Sequence, residues 1–109
     1  MTTPNFYELP QLLKQRSESS KRYLEFLRIP AMSAGVYVLA AGAPDPQKPH
    51  QEDELYYVVR GQASMRIGST ARAVCAGSVI FVGAEVEHRF FDVTEELVVL
   101  VFFAPAESM

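Results

Sequence analysis

From Arg22 onward the chain is a series of short β-forming runs, most of them marked off by glycine or proline. The runs fall at 22–29, 35–41, 54–59, 62–67, 71–74, 78–82, 88–93 and 97–103. Residues 42–49 contain three prolines and read as loop, because proline cannot donate to a strand ladder. Gly68-Ser69-Thr70 reads as a hairpin turn, and residues 92–96 as the last turn. Gly42, Gly61 and Gly77 stand at run ends, where a turn demands positive φ. Such close spacing, with almost no helical period, predicts an all-β sandwich or barrel. Only residues 8–15 read as a helix, with Pro10 in its first turn, and residues 16–21 read as a polar turn. The expected division is an N-terminal arm with a short helix over 1–21 and a β-barrel domain over 22–109.

Two of these runs set a further constraint. ELYYVV (54–59) and LVVLVFF (97–103) are apolar at odd and even positions alike. A strand with one face in water should alternate, so something must cover the outer face. The candidates are the N-terminal arm and a second copy of the chain. Both are expected, which makes the protein a homodimer with these outer faces near its seam.

Composition narrows the function classes. The chain has 109 residues, 49% of them apolar, so one core can be built. A net charge of −3 offers no basic stripe for DNA or RNA. No apolar run is long enough for a membrane-spanning helix. The opening Met1-Thr2-Thr3-Pro4-Asn5 lacks the charged and apolar regions of a secretory leader. The single cysteine, Cys75, cannot form an internal disulfide, and a cytoplasmic location is expected. Its apolar surroundings suggest a small buried hydrophobe. No glycine-rich phosphate loop is present, and nucleotide binding has no support.

The chemistry concentrates on two histidines, His50 and His88, the only ones in the chain. His50, Glu52 and Glu54 share one parity and would share one face of an extended strand. His88 opens another strand and could approach from elsewhere. Two imidazoles and a carboxylate with open positions suit Fe(II), and such donors also suit Zn, Mn or Ni. Taken singly, a histidine in a polar loop or a Glu-Asp-Glu run is ordinarily a solvated surface feature.

The spacing changes that weighing. Gly42, five residues, Lys48, one residue, His50, three residues, Glu54, six residues and Gly61 resemble the first motif of the cupins, G-x5-H-x-H-x3-E-x6-G. Gly77, Gly83, Glu85, His88 and Asp92 stand at the fixed positions of the second motif, where Gly77 and His88 match. The resemblance covers residues 35–103. It implies a cupin double-stranded β-helix, a jelly-roll-like barrel, with a divalent metal ion (Fe, Mn, Zn or Ni) held by His50, Glu54 and His88.

Lys48 departs from the pattern, since it stands where the family has its first histidine. Three arrangements are open. The site uses three protein ligands and water, or Gln47 or Glu52 replaces the missing donor, or no metal binds and the Lys48 ammonium faces Glu54 and Glu52. Tyr56 continues the parity of Glu54, and Phe90 and Asp92 continue that of His88. These residues, with Lys48, are the expected pocket for a small-molecule ligand. Arg60, Arg66 and Arg89 are weaker candidates for holding an anionic one. The catalytic residues are not legible. The resemblance implies either a metal-dependent enzyme, of dioxygenase type on a small organic substrate, or a non-catalytic binding or sensing protein, with or without metal.

Overall fold

The computed structural model describes residues 5–108. The ends of the expected arm and barrel, 1–4 and 109, lie outside the described residues, as does most of the opening segment read for a leader. The elements are α1 (Leu9–Ser19), β1 (Tyr23–Ile29), β2 (Met32–Leu39), β3 (Asp53–Ile67), β4 (Thr70–Cys75), β5 (Val79–Val82) and β6 (His88–Ala104).

Two long strands carry the architecture. β3 and β6 pair antiparallel from Asp53↔Ala104 to Ile67↔His88. Each replaces what the sequence suggested were two strands, and no turn interrupts β6 at 92–96. The buried positions explain the difference. In β3 they are Glu54, Tyr56 and Val58, then Ala63 and Met65, so the parity changes near Gly61. In β6 they are His88 and Phe90, then Val93, Leu97, Val99, Val101 and Phe103, with Val98 buried on the opposite face under α1, so the core-facing parity changes near Asp92. Gly61 has φ 102° and Asp92 φ 48°, and the β3–β6 register shifts between Val58 and Ser64. Extra residues in a ladder bend a strand without ending it. Both strands bend together, and the sheet folds onto itself.

The pairing order is β1-β2-β6-β3-β4, with β5 on the first half of β3. The result is the expected all-β, jelly-roll-like architecture with one short helix, in the form of a sandwich whose strand path stays open. One apolar cluster joins both halves through Tyr37, Tyr56, Met65, Val74, Phe90, Leu97 and Val99.

The doubly apolar runs find half of their cover in α1. Leu12 is buried against Val36, Val38 and Val98, with Phe26, Val59 and Leu100 at the margin. Burying such a leucine contributes about 1.5–3 kcal/mol. The helix outruns its expected end: Ser17 and Ser19 donate to the carbonyls of Lys14 and Arg16 in its last turns, and Ser20, at φ 62°, closes it. Away from α1, Leu55, Tyr57, Val79 and Phe81 stay 40%, 41%, 64% and 62% exposed. Cys75 is exposed rather than buried, because Val74 takes the inward position of β4 and its neighbour faces out.

Gly61 is where the bend is tightest. A Cβ there would strike the Glu96 carbonyl and Leu97 backbone, at a φ that side chains disfavour. Gly61→Ala is expected to lower stability by about 2 kcal/mol or more in urea melts, and a change below about 0.5 kcal/mol would contradict the bend.

Candidate metal centre

The fold brings His50, Glu54 and His88 together. Glu54 lies at the start of β3, paired with Val82 and Phe103 on one half of the sandwich. His88 opens β6 beside Ile67, on the other half. His50 comes from the β2–β3 loop. The turn before β6 is pinned to that loop: the Glu85 amide donates to the His50 carbonyl, and the Ala84 amide to Asp53 Oδ1 at 2.9 Å. One donor atom from each of the three residues lies within 4.8 Å of the others.

The geometry is that of groups aimed at a shared point. His88 Nε2 lies 3.0 Å from Glu54 Oε1, and His50 Nε2 lies 3.9 Å from the same oxygen. Apart from the shorter of these contacts, both Glu54 oxygens and His88 Nε2 are buried without a hydrogen-bond partner. Buried polar groups are nearly always paired, and a partnerless carboxylate is costly. A divalent cation among these atoms would satisfy all three, so the donor set fits a metal.

Around the cluster stands a polar shell. His88 Nδ1 donates to the Val86 carbonyl at 2.9 Å, so in the neutral ring Nε2 keeps its lone pair, whereas in the protonated ring it donates to Glu54. Burial pulls the His88 pKa down, but Glu54, the Val86 carbonyl and Asp45 outweigh it, and the pKa ends above its ordinary value. Burial, then Glu54, holds the Tyr56 hydroxyl well above its ordinary range, so it stays a donor. It donates to Gln47 Oε1 at 2.9 Å, and that oxygen lies 3.4 Å from His50 Nε2. Phe90 is buried against the Tyr56 ring.

The other residues singled out from the sequence go elsewhere. Lys48 is exposed, and its neighbour Gln47 turns inward in its place. Glu52 is buried, but it binds the Ser108 amide and hydroxyl rather than the cluster. Asp92 is exposed in a groove beside Gln62 and Thr94, because the parity change in β6 turns it away from the face of His88 and Phe90. Arg60, Arg66 and Arg89 are all exposed.

Three contributors were missed. Asp45 is buried in the proline-rich loop and accepts the Tyr37 hydroxyl at 2.7 Å, the Phe90 amide at 2.9 Å, and the Gln47 amide and side chain at 3.3 and 2.8 Å. It clamps the loop that carries Gln47 and His50. Its only advance signal was an acid flanked by prolines, which usually means a surface turn. Tyr23 and Glu107 line a cavity of about 140 Å³ next to His50 and Glu54, walled by Tyr37, Val101 and Phe103. The Tyr23 hydroxyl is buried and unpartnered. Burial, then Glu107, raises its pKa, and burial, then Glu54, raises that of Glu107.

The chain belongs to the cupin family: the family described as "Cupin domain" matches residues 35–103. The "Uncharacterized protein SCO3923" of Streptomyces coelicolor is 45% identical over 102 residues, 94% of this chain and 97% of its own. Among solved structures, TT1209 from Thermus thermophilus matches with a TM-score of 0.72 at 22% identity, over 93% of this chain and 97% of its own. KdgF from Halomonas sp. matches with a TM-score of 0.70 at 19% identity, over 76% of this chain and 78% of its own. At these identities the two structures share the fold.

The Asp45 clamp is separable from the cluster. Asp45→Ala strands the Tyr37 hydroxyl and the Phe90 amide, and is expected to cost about 3 kcal/mol. Asp45→Asn, which keeps an acceptor, should cost less. Denaturant melts read both, and a loss below about 1 kcal/mol for the alanine variant would contradict the clamp.

Proposed function

We propose that this cupin binds one divalent ion through His50, Glu54 and His88, and uses it on a small, uncharged organic molecule in the adjoining cavity, with an oxygenase-type activity. The observation that carries the reading is the convergence of His50, Glu54 and His88, with a buried Glu54 carboxylate and His88 Nε2 that have no hydrogen-bond partner beyond their own 3.0 Å contact. Two histidines and one carboxylate leave positions open and suit Fe(II), while Zn, Mn and Ni share the same donor preferences. A metal held there would polarise a carbonyl or hydroxyl oxygen or, as iron, activate dioxygen. The cavity of about 140 Å³ is close in size to one that holds benzene. Its walls are aromatic and aliphatic, with the Tyr23 hydroxyl free to bind an acceptor on the ligand. Glu54 and Glu107 line it and no lysine or arginine does, which disfavours carboxylates and phosphates.

A second reading, ligand binding without turnover, is supported by Gln47 and Lys48. The first histidine of the motif is replaced, and Gln47 Oε1 is already engaged by Tyr56.

The arm over 1–21, the barrel over 22–109 and a cytoplasmic setting complete the proposal. So does a homodimer, formed through the paired outer positions Leu55–Phe81 and Tyr57–Val79. Among the described residues no helix is long and apolar enough to cross a membrane.

Anaerobic loading followed by elemental analysis is expected to give about one metal per chain, as a three-ligand site requires, and background levels for His88→Ala and Glu54→Ala. Retained metal in both variants would contradict the site. Oxygen uptake by the iron-loaded protein with small phenols or diones would support turnover, whereas binding without product would favour the second reading. Light scattering tests the dimer: Phe81→Glu should convert a dimer into a monomer, and a monomeric wild type would contradict the interface.

A further inference from the structure

We infer that Glu107 is a positioning residue of the metal centre, an inference that rests on the metal-binding reading above. The two histidines pose the same problem and have different solutions. A ligating imidazole must be neutral, with its lone pair on the nitrogen facing the metal, and an acceptor at the other nitrogen fixes that tautomer. For His88 the acceptor is the Val86 carbonyl, supplied by its own turn. For His50 no backbone carbonyl plays that part among the described residues. Its Nδ1 instead lies 3.5 Å from Glu107 Oε2, while its Nε2 lies 3.4 Å from Gln47 Oε1 and 3.9 Å from Glu54 Oε1. For Nε2 to ligate, the ring proton must sit on Nδ1, where Glu107 is the acceptor within reach. The two ring nitrogens point apart, and Glu107 is not among the donors that cluster within 4.8 Å of one another. It is placed to hold the ring.

The segment that carries Glu107 is fixed independently of the site. The Ala106 amide donates to the Pro30 carbonyl at 3.3 Å, and the Glu107 amide to Ser33 Oγ at 2.9 Å. Arg28 Nη2 donates to the Glu107 carbonyl at 2.8 Å and is itself paired with Glu25. Ser108 donates from amide and hydroxyl to Glu52. Residues 106–108 therefore form a strap, anchored on β1, β2 and the start of β3, that aims one carboxylate at His50. This assigns Glu52 a place as well. It shares the parity of the ligands yet holds the strap.

The test uses the full-length protein, with Glu107→Ala and Glu107→Gln. Metal affinity is read by chelator competition with Zn(II), and the ligand field by the absorption spectrum of the Co(II) form. Glu107→Ala should weaken Zn(II) binding about 10–100-fold, the usual effect of losing a partner behind a metal-bound histidine. It should also shift the Co(II) bands. Glu107→Gln should recover most of the affinity, because its amide oxygen still accepts from Nδ1–H. The metal-free melting temperatures of both variants should stay at the wild-type value. An alanine variant with wild-type affinity and spectrum would overturn the positioning role, as would a glutamine variant no better than alanine. A wild type that takes up no metal would overturn the metal centre itself, and is distinguishable from both.

Discussion

The carboxylate of Glu54 sits 2% exposed, 3.0 Å from the His88 Nε2, and neither group has another hydrogen-bond partner. A protein interior tolerates such groups only when something completes them, because desolvation of a partnerless polar atom costs about 1–3 kcal/mol, and more when it is charged. Glu54 and His88 belong to different halves of the sandwich. Their encounter exists only because β3 and β6 bend together, at Gly61 and near Asp92. The bend and the cluster are one construction. Without the parity changes, these strands would continue as a flat ribbon and the donors would have nothing to face.

What surrounds the cluster is arranged to hold it still. Asp45 ties the proline-rich loop to β2 and β6. The Val86 carbonyl turns one imidazole, the strap over 106–108 reaches the other, and Tyr56 engages the Gln47 oxygen. A site on flexible loops would need this support for donor atoms to stay within bonding reach of one ion. Acidic groups dominate its immediate surroundings, which raises the local concentration of cations and disfavours anionic ligands. On the far side of the same strands, α1 covers Val98 while Leu55 and Phe81 stay open, so the outer face is divided between the arm and an unfilled patch.

The legible part of the site was the part encoded locally. His50 and Glu54 are four residues apart, and their motif spacing together with that of His88 was enough to name the triad and the fold. Period-two parity also placed Tyr56 and Phe90 inside. The same rule failed at Asp92, because a bulge resets parity and an aspartate with positive φ carries no clear mark in sequence. It half-failed at Glu52, which faces inward as parity requires but is engaged by Ser108, a residue 56 positions away. Asp45 and Glu107 were illegible for that reason: each acts through contacts made by folding, and each looks like an ordinary surface acid when read alone. Lys48 marked a real departure from the motif, and the structure answers it with the neighbouring side chain.

X-ray absorption on protein loaded anaerobically with one equivalent of metal tests the central claim most directly, since it gives the mean metal–ligand distance and counts imidazoles by the multiple scattering of their rings. The account requires two imidazole nitrogens and a carboxylate oxygen at about 2.0–2.2 Å for zinc, with light-atom scatterers filling what is left. A shell of water oxygens alone, or one with a single imidazole, would contradict it.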